Sequence, residues 1–330
     1  MRAYCTYFDH RYLAKGLTMI RSLRRHVPDA QIWVLCLDDR AYEMMVSLAE
    51  PGVRAIALAD FEAGDAALAK AKADGRGRVE YIFTLTPSLV RYVIRAAPEA
   101  AIVTYLDGDL WFVADPEPVY REMGAASVVI IEHGYVPEMK HLEITGIYNV
   151  GWVSFRNDAN GTACVEWWRE RTNEWCLDCV DAGRFADQGY LNQFPQLFAG
   201  VHALAHRGAN LAPWNVAART ISSRGGVLYA DEDPVLFFHF HGVKRMKTGE
   251  YLTAHGAYKA PLVPLVRDLL YRPYLREVSS ITREVEARFG AIEPVPERKL
   301  RGHKAKRPSR LKETLKTALN RWRGYIVAPD

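Results

Sequence analysis

Long apolar runs, an apolar leader and abundant cysteine are all missing from this chain of 330 residues. No stretch approaches the roughly 20 apolar residues that a membrane-spanning helix needs. The opening residues, MRAYCTYFDH, pass directly into a strand-like pattern without the apolar centre of a secretory signal. We therefore expect a cytoplasmic protein, and the 49% hydrophobic content predicts a large folded core.

Cysteine is scarce, with five residues in the chain. Cys5 and Cys36 fall in apolar, strand-like segments, while Cys176 and Cys179 form a Cys-x-x-Cys pair after a Trp-rich segment. The sequence has no second pair of this kind, so the four-ligand pattern of a structural zinc site is not met. We expect buried or half-buried free thiols.

The net charge of +4 hides a strong asymmetry. Residues 298–330 contain eleven Lys or Arg and two acidic residues, so this tail carries +9 and the remainder −5. Within the tail, apolar residues recur at helical spacing: Leu311, Leu315, Leu319 and Trp322. A basic amphipathic helix predicts contact with an anionic membrane surface, on the inner face of the cell membrane. The alternatives are a solvated tail, an oligomer contact or attraction to nucleic acid, although we expect no nucleic acid partner.

Apolar strands and amphipathic helices alternate along the first part of the chain. The strand-like segments are AYCTYF, QIWVLCLD, VRAIAL, AIVTYLD and ASVVIIEH, and the helix-like segments are KGLTMIRSLRRH, AYEMMVSLAE and TPSLVRYVIRAA. Strands that are apolar throughout predict a mostly parallel sheet covered by helices on both faces. Ligands of such sheets bind beyond the carboxyl ends of the strands, where Asp9, Asp38 and Asp107 would lie.

The second part of the chain is less regular. GIYNVGWVSFRND predicts a pair of strands with a Gly bend, TACVEWWRERTNEWCLDCV a helix with its Trp residues in the core, and VLFFHFHG a strand. Residues 258–290 have the pattern of helices. We therefore predict a main α/β domain over residues 1–250, C-terminal helices packed on it over residues 251–297, and the basic tail over residues 298–330.

The stretch VTYLDGDLWF places Asp107 and Asp109 at the end of an apolar strand. Side chains at i and i+2 of a strand point to the same side, so these carboxylates repel each other unless a cation joins them. Mg²⁺ and Mn²⁺ prefer oxygen ligands and commonly share their coordination with substrate phosphates. Gly108 permits a tight bend and the close approach of a diphosphate. These features predict a divalent-cation site, with a solvated turn as the alternative.

The segment VTYLDGDLWFVADP resembles the aspartate motif of GT-A glycosyltransferases that use nucleotide sugars, especially the retaining enzymes of glycosyltransferase family 8. The resemblance covers roughly residues 1–245 and fits a divergent bacterial branch. It implies the GT-A fold: an α/β domain with a mostly parallel central sheet flanked by helices, followed by a C-terminal helical extension. It also implies that Asp107 and Asp109 hold Mn²⁺ or Mg²⁺, which grips the diphosphate of the donor.

Further segments match the family in the same order. CTYFDHRYLAKGLTMIRSL resembles the first strand and helix, which implies contacts of Asp9 and Tyr12 with the nucleoside. TPSLVRYVI would place Arg91 on the donor, with a solvated helix charge as the alternative. YNVGWVSFR resembles the Asn-x-Gly strand of the family, which puts Asn149 near the donor sugar or the metal.

Two later motifs bear on catalysis and on the third metal ligand. FADQGYLNQF resembles the family's motif near the anomeric centre, which makes Asp187 and Gln188 the predicted catalytic residues. A helix N-cap is the alternative for Asp187, and Glu132 is the second candidate base. FFHFHG resembles the motif whose histidine binds the metal; His239 fits the spacing, and His241 is the alternative.

The chain departs from the family after this last motif. The usual Lys-Pro-Trp is replaced by VKRMK, in which a basic residue, foremost Lys244, would neutralise the leaving diphosphate. Nearby in sequence, the loop ANLAPWNV combines an indole with two amides. An indole stacks well on the C–H face of a sugar, so Trp214, Asn210 and Asn215 are the predicted acceptor-site contacts.

Together these motifs predict a metal-dependent hexosyltransferase with a retaining mechanism that acts in polysaccharide biosynthesis. It would move a sugar from a nucleotide-diphosphate sugar, by analogy a UDP-sugar, to a glycan or lipid-linked acceptor. Cleavage of the sugar–diphosphate bond leaves negative charge on the diphosphate, which a cation and basic side chains stabilise. The alternatives are a haloacid-dehalogenase-like phosphatase, a sugar nucleotidyltransferase and a non-catalytic carbohydrate-binding protein.

Overall fold

A computed structural model describes residues 1–293 and 310–329, without the side chains of residues 310–314. Part of the predicted basic tail, residues 298–309, therefore lies outside the described residues. The strands are β1 (Arg2–Phe8), β2 (Gln31–Cys36), β3 (Val53–Ala57), β4 (Ile102–Leu106), β5 (Leu110–Phe112), β6 (Val128–Glu132), β7 (Tyr148–Arg156), β8 (Val201–Ala203), β9 (Ile221–Arg224), β10 (Val227–Ala230), β11 (Asp233–Pro234), β12 (Phe237–His239), β13 (Lys244–Arg245), β14 (Tyr251–Leu252) and β15 (Ile326–Val327).

The helices lie mostly between the strands of the first half and at the C-terminal end. They are α1 (Leu13–His26), α2 (Asp39–Leu48), α3 (Leu58–Ala63), α4 (Ala66–Ala73), α5 (Arg78–Ala96), α6 (Glu117–Met123), α7 (Ala159–Glu174), α8 (Phe194–Leu197), α9 (Pro264–Val266), α10 (Arg272–Phe289) and α11 (Arg310–Trp322). Short 3₁₀ segments include Pro137–Thr145 and Gln188–Gln193, and a π-helical turn, Arg267–Tyr271, joins α9 to α10. Among the described residues, no helix has the length and apolar character needed to cross a membrane.

A seven-stranded sheet in the order β3-β2-β1-β4-β7-β6-β8 forms the centre. β3, β2, β1 and β4 run parallel, β7 is antiparallel to both of its neighbours, and β8 is parallel to β6. Successive side chains of a strand enter opposite cores: Tyr4 packs with residues of α1 and α2, and Cys5 with residues of α5 and α7. The predicted fold class, an α/β domain around a mostly parallel sheet, is confirmed.

The order of the strands reverses beside β1. From β1 the chain first builds β2 and β3 on one side and then places β4 on the other side. The carboxyl ends of β1 and β4 therefore lie next to each other while their connections lead away in opposite directions, which opens a crevice. Asp9 follows β1 and Asp107 follows β4, so both reach this crevice.

A two-stranded ribbon of β5 and β12 continues from the end of β4. Its register pairs Leu110 with His239, and the backbone N–H of Phe240 donates to the carbonyl of Asp109 over 2.9 Å. The ribbon is stable because its aromatic residues, including Trp111 and Phe240, pack against α10 in a separate apolar core. This pairing brings a segment from late in the sequence to the aspartate pair.

The C-terminal helices and the last strand both contact the main domain. Ion pairs of 2.7 Å join Arg21 of α1 to Glu284 and Arg25 of α1 to Glu277, both on α10. After α11, β15 pairs with β14 in a small antiparallel sheet. The division of the chain at residues 250 and 297 stays a prediction.

Three local predictions differ from the structure. β7 is one strand, Tyr148–Arg156, so the predicted pair of strands is wrong, although its pairing with β6 shifts register in the segment that contains Gly151. The helix over TACVEWWRERTNEWCLDCV ends at Glu174, and Cys176 and Cys179 follow it. α5 begins at Arg78, because the carboxylate of Glu80 in its first turn accepts the backbone N–H of Gly77. The helix therefore starts earlier than its apolar pattern indicates.

The expectation for the cysteines is confirmed. All five are free thiols, and four of them are buried. Burial raises the pKa of Cys36 to about 12, so this thiol stays protonated at neutral pH.

Candidate active site

A cavity of about 1030 Å³ opens at the carboxyl ends of β1 and β4. This is at the upper end of the range of small-molecule sites, roughly 300–1,000 Å³, and leaves room for two substrates. Most of the predicted site residues line it: Asp9, Tyr12, Asp107, Gly108, Asp109, Asn149, Asp187, Gln188, Trp214, His239 and His241. The others lie elsewhere: Arg91, Glu132, Asn210, Asn215 and Lys244.

Asp107, Asp109 and His239 converge in this cavity, with ligand atoms that all lie within 4.8 Å of one another. His239 Nε2 is 3.1 Å from Asp109 Oδ1 and 3.6 Å from Asp107 Oδ2. Two carboxylate oxygens and one imidazole nitrogen form a donor set that suits Mn²⁺ and is compatible with Mg²⁺. The residues present therefore fit a divalent cation, and His239, rather than His241, belongs to this cluster.

Two tyrosine hydroxyls donate hydrogen bonds to the carboxylate oxygens that do not face His239. Tyr12 donates to Asp109 Oδ2 over 2.6 Å, and Tyr105 donates to Asp107 Oδ1 over 2.9 Å. Each aspartate thus has one oxygen fixed by a tyrosine and the other directed at His239. Such outer hydrogen bonds orient metal ligands before the metal binds.

Gly151 lies directly against this cluster. A Cβ atom at this position would be 2.6 Å from Asn149 Oδ1 and 2.7 Å from His239 Nδ1, distances at which the neighbours must move. The Gly151 carbonyl also accepts the backbone N–H of Asp107 over 3.0 Å. A larger residue here would therefore force Asn149 or His239 to move, which favours glycine on packing grounds.

Opposite charges outweigh burial for Asp109 and His239, whereas burial prevails for Asp107. Burial disfavours the carboxylate of Asp109, but the charge and hydrogen bond of His239 outweigh it and hold the pKa of Asp109 well below its ordinary value. Burial likewise disfavours the imidazolium, yet Asp109 and Asp107 raise the pKa of His239. Burial raises the pKa of Asp107. Lys15, whose ammonium donates to the Val243 carbonyl over 2.9 Å, adds positive charge near Asp109.

Asp187 occupies a different environment in the same cavity. Thr86 Oγ1 donates to Asp187 Oδ2 over 2.7 Å, and the indole of Trp168 donates to the Asp187 carbonyl over 2.9 Å. Burial raises the pKa of Asp187 to about 7, although the bond from Thr86 acts in the opposite direction. A carboxyl group with a pKa near neutrality can give or take a proton at physiological pH.

Amide side chains link the neighbourhood of Asp187 to that of His239. Gln188 Nε2 donates to the Thr145 carbonyl over 3.0 Å, and Asn149 Nδ2 donates to Gln188 Oε1 over 3.4 Å. The Gly151 N–H donates to Asn149 Oδ1 over 3.0 Å. The Thr145 carbonyl and the Gly151 N–H therefore help to fix the positions of Gln188 and Asn149, respectively.

One side of the cavity is an aromatic wall formed by His133, Tyr135, Trp214, His241 and Tyr258. His133 stacks on Tyr135 with 4.8 Å between ring centroids, and Trp214 stands edge-on to His133 and to His241. Burial lowers the pKa of His133 to about 3, so its ring is neutral. Neutral rings of this kind can pack against the C–H face of a sugar.

Three of the predicted residues that lie outside the cavity are charged. The guanidinium of Arg91 donates to Glu166 Oε1 of α7 over 2.6 Å, so this residue faces another helix. Lys244 is exposed on β13 and Glu132 is exposed at the end of β6. These three side chains are therefore not among those that line the cavity.

Asn210 and Asn215 lie behind the aromatic wall. Asn210 Nδ2 donates to Asn149 Oδ1 over 3.2 Å, and Asn215 Nδ2 donates to the His133 carbonyl over 2.9 Å. Both side chains are buried. Their amides hold the wall in position, which differs from the sugar contact predicted for them.

No protein-family model matches the chain. Two proteins of Bacillus subtilis (strain 168) are similar to it over most of their length. YfnF is 31% identical over 298 residues, which cover 88% of this chain and 97% of YfnF. YfnD is 30% identical over 289 residues, which cover 87% of this chain and 91% of YfnD. The chain belongs to the family of YfnF and YfnD.

Solved structures similar to this member of the YfnF and YfnD family include two glycosyltransferases. Mouse xyloside xylosyltransferase 1 in its apo form is 13% identical, with 73% of this chain and 98% of that chain covered and a TM-score of 0.47. The galactosyltransferase LgtC, in complex with donor and acceptor sugar analogues, is 16% identical, with 89% and 98% covered and a TM-score of 0.48.

Sequence reasoning missed several residues of the cavity. Arg78 donates to Asp9 Oδ2 over 3.0 Å and lines the opening together with Arg11. Arg78 was not predicted because it lies in the first turn of α5, before the apolar pattern of that helix begins. His133 ends the strand-like segment ASVVIIEH, so its place at a strand end was the available signal.

Proposed function

We propose that this protein is a metal-dependent glycosyltransferase that transfers a hexose from a nucleotide-diphosphate sugar to a glycan or lipid-linked acceptor. The carrying observation is the convergence of Asp107, Asp109 and His239 inside a cavity of about 1030 Å³. A donor set of this kind suits a divalent cation that also binds phosphate oxygens. The cavity volume is consistent with two substrates bound together. A UDP-sugar is the first donor to test.

Asp107, Asp109 and His239 would hold Mn²⁺ or Mg²⁺. The bound cation supplies charge stabilisation for the leaving diphosphate. Tyr12 and Tyr105 keep the two carboxylates oriented, so little reorganisation accompanies binding. In this proposal Asp9, together with Arg78, contacts the nucleoside part of the donor.

Asp187 and Gln188 would act at the reacting sugar. With a pKa near 7, Asp187 is suited to accept the proton of the attacking acceptor hydroxyl or to support positive charge at the anomeric carbon. The amide of Gln188 is fixed by its bond to the Thr145 carbonyl and does not ionise, so Gln188 would help to position the reacting sugar. Retention of configuration is the expected outcome, on the strength of the family 8 resemblance.

The acceptor would lie against the aromatic wall. Trp214 lines the cavity, and its ring is 5.0 Å from that of His239, centroid to centroid. A sugar acceptor packed on this wall would therefore be close to the cation site. The neutral His133 adds a further flat surface without a charge that would need a partner.

A donor panel tests the proposed function. The protein is incubated with UDP-, GDP- and TDP-sugars, with and without Mn²⁺, and release of nucleoside diphosphate is measured. We expect Mn²⁺-dependent release from at least one UDP-sugar. Release of inorganic phosphate from simple phosphate esters, with no reaction of any nucleotide sugar, would replace the proposal with the phosphatase alternative.

The C-terminal helix supports a further part of the proposal, attachment to the inner face of an anionic membrane. Leu315, Leu319 and Trp322 recur along one face of α11 and are 61%, 43% and 82% exposed. Lys316 and Arg323 are exposed beside them. Exposed apolar side chains with flanking cations are typical of an interfacial helix, and such cations contribute about 1 kcal/mol each near anionic lipid.

Liposome sedimentation tests this attachment. Changing Leu315, Leu319 and Trp322 together to Ser should lower binding to phosphatidylglycerol-containing vesicles by at least about tenfold. The matched control is Val46→Ser, which also removes an exposed apolar side chain but from α2. Equal binding of the triple variant and the wild type would refute the membrane contact.

A further inference from the structure

Near the C-terminal end of the chain, one segment packs on a loop that reaches the cavity. β15 pairs with β14 in the small antiparallel sheet, and the residue after β14, Thr253, donates its backbone N–H to the Tyr325 carbonyl over 2.9 Å. The Thr253 hydroxyl donates to the same carbonyl over 3.1 Å. We call residues 320–327 the clasp and residues 253–258 the wall loop.

The side chain of Tyr325 packs on the backbone of the wall loop. A Cβ atom added at Gly256 would be 3.0 Å from Tyr325 Cδ2 and 3.1 Å from Tyr325 Cε2, which is tighter than an ordinary contact. Tyr325 is 9% exposed, so its ring is directed at the protein rather than at solvent. Glycine at position 256 leaves the space that the ring fills, and the ring therefore covers the middle of the loop.

The wall loop also contacts the cavity. Ala254 packs against Gly242, which directly follows His241, since a Cβ atom added at position 242 would be 3.1 Å from Ala254 Cβ. Tyr258, at the end of the loop, lines the cavity, and its ring centroid is 5.8 Å from that of Trp214 and 6.1 Å from that of His241. The wall loop therefore joins the clasp to the aromatic wall.

The wall loop depends on packing for its position. It contains one 3₁₀ turn, Ala254–Gly256, and the Ala257 N–H closes this turn by donating to the Ala254 carbonyl over 2.9 Å. A single turn is not stable on its own. One anchor is the fully buried His255, whose ring centroid is 5.3 Å from that of Tyr271, the residue before α10. The clasp supplies a second anchor.

The last residues of α11 form the start of the clasp. Arg321, in the last turn of the helix, donates to the two carboxylate oxygens of Glu250 over 2.7 and 2.6 Å. The Tyr325 N–H donates to the Asn320 carbonyl over 2.9 Å, so the chain turns directly from the helix toward β15. The helix proposed to lie on the membrane therefore ends beside the loop that carries Tyr258.

We propose that Tyr325 is a positioning residue which, with the rest of the clasp, holds the wall loop and thereby places Tyr258 in the aromatic wall that receives the sugar acceptor. The part that concerns the acceptor rests on the proposed function. None of residues 320–327 lines the cavity, so the clasp acts on the acceptor through the wall loop. A loosened clasp should therefore weaken acceptor binding and leave donor binding intact.

Tyr325→Ala is the decisive variant, because it removes the ring and keeps the backbone carbonyl that accepts from Thr253. Val327 is left unchanged, since it packs in the core that supports the ribbon of β5 and β12. Amide hydrogen exchange of the metal-free, full-length protein, followed by mass spectrometry, should become at least about tenfold faster over residues 253–260. Tyr325→Phe keeps the ring and should exchange as the wild type.

The matched control is Phe289→Ala, which removes another aromatic ring from the C-terminal part of the chain, at the end of α10, where it packs against the main domain. This control should leave exchange over residues 253–260 unchanged. Unaltered exchange there in a folded Tyr325→Ala protein would overturn the proposal. Equal acceleration in Tyr325→Ala and Phe289→Ala would also overturn it, because the effect would then be a general loss of stability.

A second readout separates this inference from the proposed function. The acceptor probes are octyl glycosides, tested with whichever UDP-sugar gives Mn²⁺-dependent release. Tyr325→Ala should raise the KM of the acceptor by about tenfold, while the Kd of the donor, measured by calorimetry, changes by less than about twofold. Tyr325→Phe should restore the KM of the wild type.

The two readouts fail in different ways. If no nucleotide sugar reacts, or if no octyl glycoside accepts the sugar, the exchange result still decides whether the clasp holds the wall loop. If transfer occurs and exchange becomes faster while the KM of the acceptor stays the same, the role of the clasp in acceptor binding is refuted. If transfer occurs and neither quantity changes, the clasp is refuted and the proposed function stands.

Discussion

Asp109 and Asp187 are buried carboxyl groups in one cavity, yet their pKa values are shifted in opposite directions from the ordinary value of an aspartate. The pKa of Asp109 is held well below its ordinary value, whereas that of Asp187 is raised to about 7. Burial raises the pKa of both carboxyl groups, so the difference between them comes from the neighbouring side chains. Asp109 faces His239 and is near Lys15, which favour a negative charge, whereas Asp187 faces hydroxyl groups.

This difference divides the chemistry of the cavity. A carboxylate that stays ionised at all physiological pH values is suited to hold a cation, and one that titrates near neutrality is suited to move a proton. Environments that push the pKa values of two carboxyl groups apart commonly separate their roles in one active site. The comparison therefore supports the roles proposed for the two residues: cation binding for Asp109 and proton transfer for Asp187.

The largest expected effect follows from Asp109→Asn. The amide cannot supply the charge that a divalent cation needs, so metal-dependent binding of a UDP-sugar should fall by at least about 100-fold. Isothermal titration calorimetry with Mn²⁺ and the nucleotide sugar measures this loss. Asp29→Asn, an exposed aspartate between α1 and β2, is the matched control. Unchanged affinity in a folded Asp109→Asn protein would remove Asp109 from the metal site.

The second prediction concerns stability and pH in the metal-free protein. The native pKa of Asp187, about 7, lies above its ordinary value of 3.8, so the native state holds a proton that the unfolded state releases. This contribution is complete below about pH 4 and is lost as the pH rises through about 7, a change of up to about 4 kcal/mol in the free energy of unfolding. Denaturant unfolding at a series of pH values should show it.

Asp187→Asn should remove most of this pH dependence, because the amide does not titrate. Comparison with the wild type cancels the contributions of other groups. If both proteins lose stability in parallel between acidic and neutral pH, Asp187 does not have the raised pKa on which the comparison depends. A difference between the two profiles that changes by up to about 4 kcal/mol between about pH 4 and pH 7 would confirm the raised pKa of Asp187.

Parts of this comparison could be read from the sequence. The apolar strands predicted the parallel sheet, and the position of Asp107 and Asp109 after one of them predicted the cation site, because strand ends meet at one edge. The resemblance of FFHFHG to the family's metal-binding motif selected His239, which the ribbon of β5 and β12 brings to the same place. Local pattern was sufficient for the strands and the two aspartates, whereas His239 depended on the resemblance.

Other parts depend on packing that no local pattern records. Arg91 lies on an amphipathic helix like many surface residues, and only the position of α7 shows that Glu166 is its partner. Asn210 and Asn215 have the composition of a sugar-binding loop, but both are buried and their amide nitrogens donate to Asn149 and to the His133 carbonyl.

The third prediction separates proton transfer from donor binding. Asp187→Asn should lower kcat for transfer by about 100-fold, since general acid–base catalysis contributes on that order, while the Kd of the nucleotide sugar changes little. Steady-state kinetics with the reactive donor, together with calorimetry on the same variant, supplies both numbers. A parallel loss of donor affinity would show that Asp187 binds the donor and would erase the division between the two aspartates.

The smallest expected effect is that of Gly151→Ala, which bears on both acidic sites at once. The added Cβ would lie 2.6 Å from Asn149 Oδ1 and 2.7 Å from His239 Nδ1, so at least one of these side chains must move. Overpacking of this kind costs about 1–3 kcal/mol. If His239 moves, Mn²⁺ affinity should fall by about tenfold; if Asn149 moves, the affinity is kept and kcat falls through Gln188. Calorimetry with Mn²⁺ alone distinguishes the two results, and unaltered affinity and kcat together would contradict the packing that ties β7 to the site.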